Sequence, residues 1–287
     1  MRRVYLLALL FTALIWAGSF IFIKLGLREI GPYNMAFYRF AIASPVLLLA
    51  VYLRRRLQSV ERGDIPSIVI LAITGVTSFY VVQFVALVFT TATNASILIN
   101  TSVIFIAVIS LLLGERFTGF KTLGIIMSFI GVILVISNGE IEFFSRETFI
   151  GDALMMLCGL FWAIYTLLGK RMLEKYNPEA LIAYASAIGS VLLLPFAIYE
   201  GLANPFTFSP LAWISLLYLS LLSSVLTYFI WYSALTVMEA TEVAVFTCIV
   251  PLFAAMMAFL VLGEDIGIFT SIGGVLTVVG VYLVERE

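Results

Sequence analysis

Few side chains in this chain could do chemistry inside an apolar run, so each can be weighed alone. Arg39 is the one charged residue clearly within such a run, about two turns from its nearer end. A guanidinium there can hold a carboxylate or phosphate through two parallel hydrogen bonds. The competing role is to reach back to the membrane interface or to helix-end carbonyls. Trp16 and Trp162 each sit near the centre of a run, with Tyr165 one turn past Trp162. Membrane tryptophans favour the interfaces, so a central pair suggests an aromatic-lined pocket. Neutral polar groups recur at similar depth: Tyr80 and Gln83; Asn100, Thr101 and Ser102; Ser223, Ser224, Thr227 and Tyr228; and Thr247. A buried amide needs a partner, either another helix or a solvated cavity, and for Gln83 and Asn100 both readings stand. Serine and threonine can instead bond their own helix carbonyls. Trp231, Tyr232 and Tyr218 are accounted for by interfacial or packing roles.

Other chemistries lack their residues. Histidine is absent, which excludes imidazole as base, proton shuttle or ligand. The two cysteines, Cys158 and Cys248, lie in separate apolar runs and support neither a disulfide framework nor a zinc site. Glu115, Glu239, Glu242, Glu264, Asp265 and Asp152 all map to span ends or loops. Neither a clustered nucleophile nor a serine–lysine pair occurs, so an enzyme is not expected, nor a metal or cofactor. Proton-coupled carriers keep a buried acid or histidine. Its absence favours uncoupled facilitation or exchange, with Glu239 or Glu242 as remaining coupling candidates.

The elements that position these residues follow from composition. Of 287 residues, 63% are hydrophobic and 11% charged, too apolar for a water-soluble domain or for disorder. The net charge of −1 offers no basic face for nucleic acid. A helix needs roughly 20 apolar residues to cross a bilayer. Ten runs qualify: Val4–Leu25, Tyr33–Leu53, Ile65–Phe89, Asn94–Leu113, Phe120–Asn138, Ile150–Lys170, Pro178–Tyr199, Leu211–Leu235, Glu242–Leu262 and Ile266–Val284. They are twice the length of outer-membrane strands and do not alternate, so they are helices. The first run has a counterpart in the sixth and is therefore a span, not a signal peptide. With the N-terminus cytoplasmic, 12 of the 16 Lys and Arg residues fall in inside segments and 3 (Lys24, Arg28 and Arg146) outside. Both termini are thus expected in the cytoplasm. Lys24 and Lys170 read as helix-end anchors.

The two halves repeat. At an offset of 146, Trp16-Ala17 matches Trp162-Ala163, Lys24 matches Lys170, Pro32 matches Pro178 and Tyr38 matches Tyr184. At 148, Tyr80 matches Tyr228 and Ala92-Thr93 matches Ala240-Thr241. At 149, Leu113-Gly114-Glu115 matches Leu262-Gly263-Glu264, Gly124 matches Gly273 and Gly131 matches Gly280. Five spans per half is odd, so the second half enters from the opposite side. Such inverted repeats suit a midplane site reached alternately from either face. The glycine pairs, seven apart, mark one close-packing face on spans five and ten. The glycine-glutamate pairs read as helix ends. Pro251 should kink span nine, as a static bend or as a gating hinge.

The ten-span layout resembles the EamA family of the drug/metabolite transporter superfamily. So do Trp16-Ala17 in span one, the Pro32-x5-Tyr38-Arg39-Phe40 opening of span two, and Leu113-Gly114-Glu115 with its second copy. The resemblance covers the whole chain, as repeats over 1–139 and 150–287. It implies a central cavity between the halves, with spans five and ten packed away from it. The second half has Ala185 where the first has Arg39, so the halves are not equivalent there. The expected protein is an all-α integral membrane transporter of the inner or plasma membrane, monomeric, with the lipid bilayer and a small-molecule substrate as partners. Amino-acid-like solutes, exported by alternating access, fit an aromatic, neutral-polar cavity with one cation. The alternatives are a lipid or polyprenyl-linked headgroup translocator and a sugar-phosphate or nucleotide-sugar carrier. The expected substrate-contacting residues are Trp16, Arg39, Tyr80, Gln83, Asn100, Trp162, Tyr165 and Tyr228.

Overall fold

The computed structural model describes residues 2–90, 97–137, 148–257 and 267–286, apart from the side chains of Phe20, Lys24, Leu87 and Val88. The span limits Asn94, Asn138, Leu262 and Ile266, together with Ala92, Thr93, Arg146, Gly263, Glu264 and Asp265, lie outside the described residues. Helices account for each expected span. They are α1 (Arg2–Gly26), α2 (Pro32–Leu53), α3 (65–89), α4 (Thr101–Leu112), α5 (Gly119–Ser137), α6 (Phe149–Met172), α7 (Pro178–Tyr199), α8 (Pro210–Leu235), α9 (Ala240–Met257) and α10 (Ile268–Glu285). Two of them change pitch at equivalent places. Helix α3 loosens to a π turn over Ile73–Thr77, and α8 does so over Tyr218–Leu226. Such bulges are uncommon and gather at functional sites.

Local chemistry sets the ends. Pro32, Pro178 and Pro210 open α2, α7 and α8, where a missing N–H costs nothing. Asn177 and Ser209 cap the last two by accepting from Ala180 and Ala212. Gly114, at φ +95°, turns the chain after α4, as its sequence signal predicts. In α9 the irregularity lies just ahead of Pro251, as a tight 3-10 stretch over Val245–Ile249. The outward faces carry Leu7 and Phe11 of α1, Leu123 and Ile126 of α5, and Val275 and Val278 of α10, all exposed. Such apolar exposure makes the bundle a multi-pass membrane protein.

Helices α5 and α10 form the most extensive pair, at the periphery. A Cβ on Gly124 would lie 2.6 Å from the Gly280 carbonyl oxygen, and one on Gly280 would lie 2.5 Å from that of Gly124. Gly131 and Gly273 meet in the same reciprocal way, at 2.6 Å each. The repeat matches Gly124 to Gly273 and Gly131 to Gly280, so each contact is the counterpart of the other, as a twofold relation between the halves demands. The antiparallel pair α2 and α7 is pinned at both ends. Arg54 and Arg56 reach Glu179 at one end, while Glu200 accepts from the Asn34 N–H (2.9 Å) and Asn34 Nδ2 (2.8 Å) at the other.

These contacts sort the bundle into an Arg2 end and a Glu200 end. At the Arg2 end, Arg2 pairs with Glu242 and Glu285, Lys121 with Glu239, and Lys170 with Glu115. At the Glu200 end, Glu29 binds Ser209, Tyr38 binds the Ala203 carbonyl, and Thr90 binds Asp152. Each contact joins segments that the charge pattern placed on the same side.

Candidate functional site

The centre is a packed aromatic cluster. Trp16 and Trp162, expected as a pair, meet edge to face with centroids 5.6 Å apart. Trp231 completes a triad, 5.4 Å from Trp16 and 5.5 Å from Trp162. Its place corrects the interfacial reading and keeps the packing one, for it is only 1% exposed and packs against both central tryptophans. A signal for it was present: at the offset of 148, Trp231 is the repeat counterpart of Gln83. Tyr165 packs on Trp162, Tyr228 and Tyr232. Its ring fills the space that Gly75 leaves beside the π turn of α3, where a Cβ would lie 2.2 Å away. Phe79 and Phe40 extend the cluster.

The repeat pair Tyr80 and Tyr228 touch through their hydroxyls at 3.1 Å. Arg39 lies beside them, 5% exposed, with its guanidinium carbon 4.7 Å from the Tyr80 ring centre. Its Nε donates to Ser224 Oγ at 2.7 Å, and Nη2 donates to the Ser223 carbonyl at 2.9 Å. Both serines lie in the π stretch of α8, so Arg39 bonds a loosened helix and not the interface. Thr227 Oγ1 (3.0 Å) and Trp16 Nε1 (3.4 Å) donate to the same Ser223 carbonyl. Trp16 Nε1 also donates to Thr227 Oγ1 at 3.0 Å. Among the described residues no carboxylate lies within ion-pair distance of Arg39.

Gln83 sits one turn beyond Tyr80 towards the Glu200 end, half-buried, with no hydrogen bond among the described residues. Asn100 is buried just ahead of α4, where the next residue, Thr101, lies against Gly159 of α6. Six expected residues, Trp16, Arg39, Tyr80, Trp162, Tyr165 and Tyr228, thus form one contiguous cluster, flanked by Gln83. Two apolar grooves lie elsewhere. One of about 410 Å³ runs between α9 and α10, lined by Leu252, Met256 and Gly274 among others, and one of about 220 Å³ lies beside Ile65 and Tyr184. Neither is lined by a member of the cluster, whose rings occupy the place where the resemblance implies a cavity.

Outside the membrane, Lys175 ties its connecting segment to that of Glu61 and Asp64 through charge. Asp64 accepts from Lys175 at 3.1 Å and from the Tyr176 hydroxyl at 3.0 Å, which holds its carboxyl below the usual aspartate range. The same contact raises the Lys175 ammonium.

Comparison with known proteins gives a consistent match. The profile of the EamA-like transporter family covers residues 3–137 and again 149–286. An uncharacterized transporter of Archaeoglobus fulgidus is 52% identical over 281 residues, covering 98% of this chain and 97% of that protein. A probable terminal-alkyne amino-acid exporter of Streptantibioticus cattleyicolor is 27% identical over 285 residues, 98% of this chain and 93% of its own length. A solved crystal structure superposes with a TM-score of 0.84 at 17% identity, covering 99% of this chain and 98% of that one, which bears on the fold alone.

Proposed function

The chain belongs to the EamA-like transporter family, and on that premise we propose that it exports small amino-acid-like solutes across the cell membrane by alternating access. The observation that carries this reading is Arg39, a buried guanidinium without an acid partner among the described residues. Burying an uncompensated ion costs several kcal/mol. A substrate carboxylate arriving about 4 Å away would interact with it by roughly 4 kcal/mol at an effective dielectric near 20. The rings of Trp16, Trp162 and Tyr165 supply apolar area for a side chain and π faces for an ammonium. The Tyr80 and Tyr228 hydroxyls stand between these poles. The exporter from Streptantibioticus cattleyicolor, named for an amino-acid cargo, supports the same class.

The halves over 1–139 and 150–287 would exchange inward-open and outward-open packings around this cluster, within one monomer and with both termini cytoplasmic. With the membrane acids engaged at helix ends, as Glu239 is by Lys121 and Glu242 by Arg2, facilitation or exchange is preferred over proton coupling. The lipid-headgroup reading calls for a lateral cleft reaching Arg39, and the groove between α9 and α10 is lined by no residue of the cluster. The test is counterflow in proteoliposomes preloaded with mixed unlabelled amino acids, following labelled ones. Uptake that the Trp16→Ala, Trp162→Ala double variant loses supports both the carrier and the site. Folded wild-type protein that moves none of the panel sinks the amino-acid reading.

A further inference from the structure

Most membrane hydroxyls here are satisfied within their own helix. Thr74 donates to the Ile70 carbonyl, Ser215 to Leu211, Ser220 to Leu216 and Thr277 to Gly273. A few are not. Among the described residues, seven buried side-chain polar atoms have no hydrogen-bond partner: Thr12 Oγ1, Ser110 Oγ, Glu115 Oε2, Ser128 Oγ, Thr166 Oγ1, Trp231 Nε1 and Thr241 Oγ1. Leaving such a group unmet costs about 1–3 kcal/mol, so native chains rarely keep one without use.

Their distribution is one-sided. Ser128 lies in the peripheral seam of α5 and α10. The other six all lie from the tryptophan triad towards the Arg2 end, and none lies on the Glu200 side. Three converge. Thr12 is four residues before Trp16 on α1, and Thr166 four residues after Trp162 on α6, so each lies one turn nearer the Arg2 end than its tryptophan. Both tryptophans touch Trp231, whose indole N–H is the third unmet group. Thr12, Thr166 and Trp231 are 1%, 0% and 1% exposed. The pseudo-twofold adds a counterpart: Gln83, matched to Trp231, lies one turn beyond Tyr80 towards the opposite end.

We infer that Thr12, Thr166 and the Trp231 indole form a second binding station, on the Arg2 side of the tryptophan triad, for an oxygen acceptor of the transported solute, a carboxylate first. The inference rests on the transport reading above. Indole N–H donates only, and both threonine hydroxyls are free to donate, so the station offers up to three donors and no fixed charge. A carboxylate passing between the Arg2 end and Arg39 would exchange one donor set for another without an unsolvated step. The groups stay unmet in the empty protein because the solute is their partner.

Two experiments test this, and the first does not depend on transport. In a Cys158→Ala, Cys248→Ala background, Thr12→Cys and Thr166→Cys are exposed in turn to a methanethiosulfonate carrying a sulfonate and to one carrying a trimethylammonium. Either position serves if the other variant does not fold. The sulfonate reagent is expected to react at least about fivefold faster, and Trp231→Phe, which keeps an aromatic side chain and removes the N–H, to cut that ratio severalfold. Ser220→Cys, where the native hydroxyl is satisfied, should remain unlabelled. Absence of labelling at both positions, or a ratio that Trp231→Phe leaves unchanged, overturns the station whatever the transport assay gives. The second experiment compares Thr12→Val, Thr166→Val and Trp231→Phe with wild type, using the labelled amino acid that wild type carries. Each should raise KM about tenfold; in the nearly isosteric Thr12→Val and Thr166→Val the melting temperature of the empty protein should hold or rise, because an unmet polar group has gone, while Trp231→Phe also leaves a cavity and is read by KM alone. An unchanged KM in all three, or a KM rise accompanied by a fall in melting temperature in the two threonine variants, assigns the groups to packing and overturns the proposal.

Discussion

Removing the Arg39 head group separates substrate binding from support of the fold, and the contacts allow both effects to be sized. Arg39→Met deletes three charge-assisted hydrogen bonds, to Ser224 Oγ at 2.7 Å, to the Ser223 carbonyl at 2.9 Å and, shared from the same Nη2, to Ser223 Oγ at 3.2 Å. Bonds of this kind contribute about 1.5–3 kcal/mol each. Against that loss stands the relief of several kcal/mol of ion desolvation. The Ser223 carbonyl keeps Thr227 Oγ1 and Trp16 Nε1, and Ser224 Oγ keeps the Leu219 carbonyl, so only the Ser223 hydroxyl loses its partner. The stability terms nearly cancel, and the net change should stay within about 2 kcal/mol. At roughly 2–4 °C per kcal/mol for a chain of this size, the melting temperature should move by less than about 8 °C. The lost attraction for a carboxylate, about 4 kcal/mol, corresponds to nearly three decades in affinity. Transport kcat/KM should therefore fall between about 10² and 10³-fold, and Arg39→Lys, which keeps the charge but not the fork, should lie between. The assay is counterflow with reconstituted protein, beside a thermal melt in the same detergent. Arg39→Met that transports like wild type would refute the anion-site argument. A melt that collapses in proportion to the lost transport would make Arg39 a strut for the π stretch of α8.

Other outcomes follow from separate contacts. Gly124→Ala places a methyl 2.6 Å from the Gly280 carbonyl, where only backbone could yield, so α5 and α10 should separate and stability fall by about 1–3 kcal/mol in a thermal melt. Glu200→Ala removes the acceptor of the first α2 N–H groups and should cost about 0.5–2 kcal/mol, while Glu200→Asp, which keeps the charge near the helix start, should cost less. The Asp64–Lys175 tie depends on pH with a definite sign. A lowered carboxyl stabilises above the ordinary aspartate value and loses that effect as pH falls through its lowered value; a raised ammonium stabilises below the ordinary lysine value and loses it as pH rises through its raised one. Hydrogen-exchange protection around Asp64 should thus stay flat from about pH 5 to pH 9, fall towards pH 3, and lose this dependence in Asp64→Asn.

How much of this was legible depended on which signals the repeat carries. Span number, the grouping of segments at a common end and the glycine seam rest on composition, charge and periodicity, each recorded in single residues such as Lys170 or Gly131. The contacts Trp16–Trp162 and Tyr80–Tyr228 were legible because a twofold axis brings equivalent residues together where they lie near it. The π stretches were not, since a loosened turn reflects partners elsewhere: the Tyr165 ring against Gly75, and Arg39 against Ser223 and Ser224. Trp231 lies deeper than an interfacial role implies, for α8 spends nine residues in a π stretch before reaching it and a π turn rises less per residue than an α turn. The repeat, which matches Trp231 to Gln83, carries the signal of its depth.

The departure from symmetry bears directly on the transport cycle. Ala185 stands where Arg39 has its counterpart, and Gly75 and Val76 stand where Ser223 and Ser224 have theirs. Cation and acceptors were thus replaced together, and both Ala185 and Val76 are fully buried among apolar neighbours. The π turn of α3 is held instead by the Tyr165 ring and by the Tyr228 hydroxyl, 3.5 Å from the Gly75 carbonyl. A perfectly twofold protein would have two poles for anions and two states of equal energy. This chain has one pole, on α2, tied to α8 of the opposite half. A carboxylate that competes for the Arg39 fork weakens the tie between α2 and α8, and so between the halves. On the transport reading, substrate binding and release of the inter-half contact are then a single exchange of hydrogen-bond partners, which lets the loaded protein change its packing more readily than the empty one.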